Sequence, residues 1–300
     1  MNTSTSIDSS IAWLKERAAA AAKAVEQKAA EQPKQMFLPG FDVGAFPNHL
    51  NRSSFIAPIA RGRRKFHRQA AMVTRKDCVL EYTGEQLDEA DGDLIMALIA
   101  YAQRQPLGVM VSLNRAEVLR KLGRSTGKSQ YDWLHRRIKA LTEATMFLEA
   151  KKPDGSTRYS VGKTVSFRII AGFSYDDDDE TYSYSMDPRW VQMFGGHEYG
   201  LIDWDKRLQM GRGHDMAKSL QRLISTSSDR VQRYSLDYLK ARAQSDGRMR
   251  DFRDALMRAV HELVRLGIVI KGNIEDSTRG TPQLALWLPD LRDSVAPPSA

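Results

Sequence analysis

Three hundred residues carry 45 Lys and Arg against 37 Asp and Glu, a formal net charge of +8, which suits two modest domains rather than one large one and an anionic partner. An apolar share of 42% provides for packed cores and excludes a disordered chain. The longest apolar run, Leu94 to Ala102, is too short to span a bilayer, and Met1 to Ser10 lacks the regions of a secretory signal, so a soluble, cytoplasmic protein with no membrane partner is expected.

The chain opens with an alanine-rich stretch, Ile11 to Gln32, whose large apolar groups are Trp13, Leu14 and Val25. Alanine favours helix, but so thin an apolar stripe predicts a loosely attached helical arm over 1–32. Residues 33–78 read as a linker that begins with a short apolar peptide, Gln35-Met36-Phe37-Leu38-Pro39-Gly40-Phe41, suited to filling a pocket. Seven positive and no negative charges lie between Arg61 and Lys76, among them Arg63, Arg64 and Lys65, a natural contact for phosphates.

Globular patterning starts near Val79. Asp91 to Gln103 predicts an amphipathic helix, Val109 to Leu113 a short strand, and Asn114 the cap of a helix to Leu122. Ser129 to Ala144 follows as a second helix with Leu134, Ile138 and Leu141 inward. Strands are expected at Met146–Ala150 and Thr164–Phe173, joined through the Lys151–Ser156 turn as a hairpin. The run Asp176 to Glu180 reads as a solvated connector over 176–184.

A second unit, 185–290, repeats the order: helix His214–Ser225, strand Arg233–Leu236, a helix capped by Asp237, a long helix Arg248–Leu266, and closing strands at Ile268–Lys271 and Gln283–Leu288. Leu113 to Leu141 spans 28 residues and Leu236 to Leu263 spans 27, which predicts an internal repeat. Residues 291–300 are expected to form a flexible tail.

Helix, strand, helix, turn, helix, hairpin is the order of a winged helix-turn-helix, so the predicted fold is α+β, with tandem domains of that kind at 79–175 and 185–290. At 100° per residue, Lys128, Ser129, Asp132, Arg136 and Lys139 point away from the first core; Arg250, Arg253, Arg258 and His261 point away from the second. The wings add Lys151, Lys152, Arg158 and Lys163 in the first unit and Lys271 and Arg279 in the second. From Arg115 to Lys152 there are ten basic and four acidic residues. This predicts phosphate and base contacts to double-stranded DNA.

Other chemistries lack support. Gly123 to Ser129 superficially matches a phosphate-binding loop, but only three residues separate its glycines and a helix precedes it, so a turn explains it. Cys78 has no partner for a disulfide or a cysteine zinc site. The scattered histidines form no ligand pair and no nucleophilic triad is legible. No catalytic centre, metal or cofactor is therefore expected.

The ordered set Pro47-Asn48, Arg52-Ser53 and Phe55, the basic run Arg63-Arg64-Lys65, Tyr82-Thr83-Gly84 with Leu87 and Asp91, and the paired helix-turn-helix units resembles the TrfA-like replication initiators of broad-host-range plasmids, over about residues 35–289. The resemblance implies binding to origin iterons, opening of adjacent AT-rich duplex, recruitment of the host replicative helicase and initiator, and a monomer–dimer equilibrium. It also implies a sliding-clamp peptide, which Gln35, Met36 and Leu38 match in kind; Pro39 stands where the closing Phe belongs, with Phe37 and Phe41 nearby. A transcriptional repressor of the same modules, binding without melting, is the alternative.

Overall fold

The computed structural model describes residues 43–59, 64–103, 105–163, 165–176, 181–195 and 198–289. The alanine-rich arm, the Gln35–Phe41 peptide, Arg63, residues 177–180 and the tail lie outside the described residues. Everything described belongs to one unit, Leu38–Ala300.

The described chain begins with β1 (Ala45–Pro47) and α1 (Asn48–Asn51), then forms the antiparallel pair β2 (Phe66–Ala71) and β3 (Cys78–Glu85). This stretch departs from the expected linker. Phe46, Leu50, Phe55 and Ile56 are fully buried, so its apolar side chains, not its prolines and glycines, decide its fate. It is a strap packed into the body.

The first repeat opens with α2 (Glu89–Ala102). The Asp88 carboxylate accepts from the Asp91 amide at 3.0 Å, and the Asp91 carboxylate accepts from the Asp88 amide at 3.0 Å, satisfying two donors that a helix start would otherwise leave open. β4 (Val111–Leu113) leads to α3 (Arg115–Lys121), whose cap is Asn114 as expected, accepting from the Glu117 amide at 3.0 Å. After the turn comes α4 (Lys128–Glu143). Five strands follow: β5 (Thr145–Lys151), β6 (Thr157–Val161), β7 (Phe167–Arg168), β8 (Ile170–Asp176) and β9 (Thr181–Met186).

Here the strand pairing corrects two expectations. The β5–β6 hairpin is not the wing of the first repeat. β5 pairs with β3, from Cys78↔Ala150 to Thr83↔Thr145, in a five-stranded sheet ordered β2-β3-β5-β6 with β7 beside β5. The cause is matching alternation: Leu80, Tyr82, Met146, Leu148 and Ala150 are all buried, and this register puts them on one face. Gly162 lets β6 close against β5, since a Cβ there would sit 2.3 Å from the Met146 carbonyl oxygen. The strand β4 pairs instead with β9, and β9 with β8, down to Asp176↔Thr181. The acidic run therefore joins two paired strands within the first repeat, and is not a connector between repeats.

Passage to the second repeat runs through α5 (Trp190–Phe194), β10 (Tyr199–Leu201), which pairs back on β1, and α6 (Trp204–Gln209). The second repeat comprises α7 (Asp215–Ile224), β11 (Val231–Ser235), α8 (Leu236–Arg242), α9 (Met249–Arg265), β12 (Lys271–Asp276) and β13 (Pro282–Trp287). Its sheet order is β11-β13-β12. Leu220, Leu236, Leu256, Leu263 and Leu284 fill its core, each such side chain contributing about 1.5–3 kcal/mol on burial. Ser235, not Asp237, caps α8, accepting from the Tyr238 amide at 3.3 Å; Asp237 lies inside the first turn, where a negative charge favours the helix dipole.

The repeat is real, but its register differs from the leucine spacing. α3 and α8 start at 115 and 236 and end at 121 and 242, and α4 and α9 start at 128 and 249, each pair 121 apart. In both, the strand before the two helices pairs with the last strand of a hairpin, β4 with β9 and β11 with β13. Strands β5, β6 and β7 are an insertion between α4 and β8, and they complete the sheet that β2 and β3 begin ahead of α2.

Candidate nucleic-acid interface

The helices α4 and α9 are positioned by their apolar faces. In α4, Leu134, Ile138 and Leu141 are buried, leaving Lys128, Ser129, Asp132, Arg136 and Lys139 exposed as expected. In α9, Phe252, Leu256, Ala259, Val260 and Leu263 are buried, and Arg250, Arg253, Arg258 and His261 are exposed. At the 121-residue offset, Ser129 corresponds to Arg250, Asp132 to Arg253 and Arg136 to Met257. The scaffold is shared but the presented chemistry is not. Such a pair suits two non-identical stretches of duplex.

Among the described residues, Arg136, Lys139, Arg253 and Arg258 have no carboxylate partner; Arg136 Nε donates only to the Asp132 carbonyl oxygen, at 3.3 Å. Exposed cations held on rigid helices and left unpaired can exchange water and counterions for phosphates or base edges at small cost. Arg250 lies 3.6 Å from the exposed Asp251, a contact too solvated to hold it.

The other expected contacts divide. Arg279 is exposed in the β12–β13 turn, and Lys271 Nζ lies 4.6 Å from the centre of the Trp287 ring. Lys151 and Lys152 are exposed, but at the end of the inserted β5–β6 hairpin. Arg158 is paired with Glu198, and Lys163 Nζ lies 4.0 Å from Glu149. Lys65 reaches across to Asp246 in the turn between α8 and α9, at 3.1 Å in an exposed pair. Arg64 is committed elsewhere. Its guanidinium pairs with Asp88 and Asp91 and donates to the Gln86 carbonyl oxygen at 2.7 Å, so it fastens the strap to the start of α2 with its charge already matched by two carboxylates.

Sequence reasoning missed the arginines that hold the repeats together. The start of α2 is a carboxylate hub. Arg137 donates to Asp91 at 2.6 and 3.1 Å and pairs with Glu85. From α6 and α7, Arg207 donates to Glu89 at 2.9 Å and pairs with Asp93, Lys218 reaches Asp93 at 2.8 Å, and Arg222 donates to Glu89 at 3.0 and 2.7 Å. The side chains of Glu89, Arg207 and Arg222 are completely buried. Burial alone would raise the Glu89 carboxyl, but the charges of Arg222 and Arg207 overcome it and hold it at about 2. Burial likewise opposes the Arg207 cation, which Asp93 and Glu89 nevertheless raise above its ordinary value. Among the described residues Arg242 makes no ion pair: it donates to the Asn51 carbonyl oxygen at 3.1 and 2.6 Å and to Ser219 Oγ at 2.7 Å, and burial followed by the nearby Arg222 charge lowers it to about 10.

An aromatic box was also missed. Arg115 lies over Tyr131 at 4.7 Å and faces Tyr175 and Tyr182 at 5.6 Å each, while His135 packs on Phe173, Tyr175 and Tyr182. These contacts fasten α4 to the β8–β9 hairpin. Their sequence signal is the alternation Phe173, Tyr175 … Tyr182, Tyr184 on either side of the acidic run, a hairpin pattern.

A family model described as TrfA protein matches residues 11–279. The chain belongs to the TrfA family. That membership places it among DNA-binding plasmid replication initiators, as the sequence resemblance implied. No curated protein sequence matches significantly. Among solved structures, the crystal structure of RctB domains 2–3 matches with a TM-score of 0.51 at 14% identity, covering 83% of this chain and 99% of that one. A selenomethionine form of RctB domains 2 and 3 gives 0.52 at 13% identity, covering 77% and 94%. The Pi initiator protein in complex with iteron DNA gives 0.46 at 17% identity, covering 67% and 91%. The two RctB matches show a shared mixed α/β fold. No helix among the described residues is long and apolar enough to cross a membrane.

Proposed function

We propose that this TrfA-family chain is an iteron-binding initiator whose two repeats are winged helix-turn-helix domains, with α4 and α9 reading major-groove faces of one site. The observation that carries the reading is the contrast among arginines. Those of the carboxylate hub are buried and paired, whereas Arg136, Arg253 and Arg258 stand exposed without carboxylate partners on equivalent helices. The hub ties α2 to α4, α6 and α7, and α9 packs against α7; this supports a spacing of the two helices set before DNA arrives, with little ordering cost left for binding.

The protein works by binding energy rather than bond chemistry. Specific sites are favoured over random duplex by several kcal/mol, typically about 4–10. Part of that energy goes into distorting neighbouring AT-rich duplex, and the bound complex recruits the host helicase and initiator in the cytoplasm. Selection of bound fragments from a random duplex pool tests the reading. It requires recovery of one sequence spanning roughly two helical turns; a pool that stays random at physiological salt rejects it. Strand opening on the recovered site then tests initiation.

A further inference from the structure

A cavity of about 410 Å³ opens between the strap, the β2–β3 loop and the start of the second repeat. Arg52, Arg75, Thr226, Asp229, Tyr234 and Tyr238 are on its wall. Its volume lies in the range of small-ligand sites. The two tyrosine rings stack at 27° with centroids 6.5 Å apart, and their hydroxyls are occupied, Tyr238 donating to the Arg52 carbonyl oxygen at 2.5 Å and Tyr234 to Gln232.

The charges on this wall are not balanced as elsewhere in the molecule. Arg52 Nη2 donates to the Thr226 carbonyl oxygen at 2.6 Å, but its Nε is buried with no hydrogen-bond partner among the described residues. Arg75 is exposed and makes no ion pair among them. The single acidic side chain on the wall, Asp229, accepts from Ser227 Oγ at 2.9 Å; Arg233, also on the wall, is taken by Glu275 at 3.0 Å. Burial, followed by the charge of Arg75, lowers the pKa of Arg52, and the carboxylates of Glu198 and Asp77, which act the other way, do not offset them, so the two cations share one local field. A buried unpaired N–H costs free energy until something accepts from it. The group that answers two guanidiniums at once is a compact anion with several acceptor oxygens.

We propose that this cavity is a phosphate-binding site in which one phosphoryl group bridges Arg52 and Arg75. The phosphate can belong to a free nucleotide or to a DNA backbone; only the second source rests on the DNA-binding reading above.

The test titrates the full chain with inorganic phosphate, with ATP and with duplex DNA, each against chloride at matched ionic strength. It compares the unaltered chain with Arg75→Glu and with Lys76→Glu, an exposed neighbour that is not on the wall and carries the same charge change. Saturable binding of phosphate or ATP that weakens tenfold or more in Arg75→Glu, and not in Lys76→Glu, supports a free phosphate. No such binding, with a selective tenfold loss of duplex affinity in Arg75→Glu, supports a backbone phosphate. Arg52→Lys, which keeps the charge and drops the fork, gives the same ordering with a smaller loss. The proposal is overturned if the two charge reversals act alike on every probe, or if Arg75→Glu changes none. Failure of the unaltered chain to bind any duplex defeats the DNA reading and leaves the phosphate and ATP arms to decide this one.

Discussion

Gly123 and Gln244, 121 residues apart, occupy the same point of the two repeats, between α3 and α4 and between α8 and α9, and both hold left-handed backbone, at φ 67° and 50°. Each follows a helix cap, and in each the next residue's amide returns to the preceding helix, Arg124 to the Leu119 carbonyl and Ser245 to the Lys240 carbonyl, at 2.8 and 3.1 Å. Glycine adopts this conformation freely, whereas Gln244 is held there by its side chain, which donates to the Ser54 carbonyl oxygen and accepts from Gln86, both at 2.7 Å. Gly123→Ala is therefore expected to cost about 1–2 kcal/mol of stability. Gln244→Ala keeps the strain and drops two hydrogen bonds worth about 0.5–1.5 kcal/mol each. Urea unfolding with an unchanged slope and a lowered midpoint checks both.

Glu89 neutralises two buried arginines from the other side of the repeat boundary. Glu89→Gln keeps the shape and removes the charge, so a loss of about 3–5 kcal/mol is expected. The acid limb of the stability curve carries the same information. A carboxyl held near 2 against an ordinary value of about 4.3 supplies stability that is complete above the unfolded value and disappears as pH falls toward 2. Acid titration of the unaltered chain should show this loss, and the Glu89→Gln chain should lack it.

Arg136→Ala and Arg253→Ala are each expected to weaken specific duplex binding by about 1–3 kcal/mol and to relax selectivity at the contacted base pairs. Arg64→Ala behaves oppositely, lowering the unfolding midpoint while leaving affinity per folded molecule unchanged. Footprinting beside thermal unfolding separates the two classes.

Salt dependence discriminates between the hairpins. Lys271→Ala and Arg279→Ala should each reduce the slope of log affinity against log salt by about 1. Lys151→Ala and Lys152→Ala, on the inserted β5–β6 hairpin, should leave that slope where it is.

How much of this was legible varies by the range of the interaction. The paired helices of the two repeats were readable to within a few residues because periodicity and caps such as Asn114 are local. The closing hairpin of the first repeat was not. The runs around Met146 and Ile169 are equally rich in strand formers, and only pairing shows that Met146 lies beside Phe167 while Ile170 faces Met186. The strap was misjudged because glycine and proline mark it as linker, whereas Phe46 and Ile56 are anchored by partners far along the chain. Arg207 and Arg222 look like ordinary surface cations; their carboxylate, Glu89, lies more than a hundred residues away. For the interface, exposure of the basic positions on α4 and α9 followed from helical spacing, but no local pattern told that Arg64 would be consumed by Asp88 and Asp91.

At equivalent points of α4 and α9 stand Asp132 and Arg253, both exposed, a carboxylate on one repeat and a cation on the other. Two otherwise parallel repeats thus present opposite charges at a matching point. A polyanion lying along both would find one orientation favoured and its reverse penalised, so the molecule has a head and a tail. Copies seated on tandem sites would then all point the same way, giving an array a direction that no single repeat possesses.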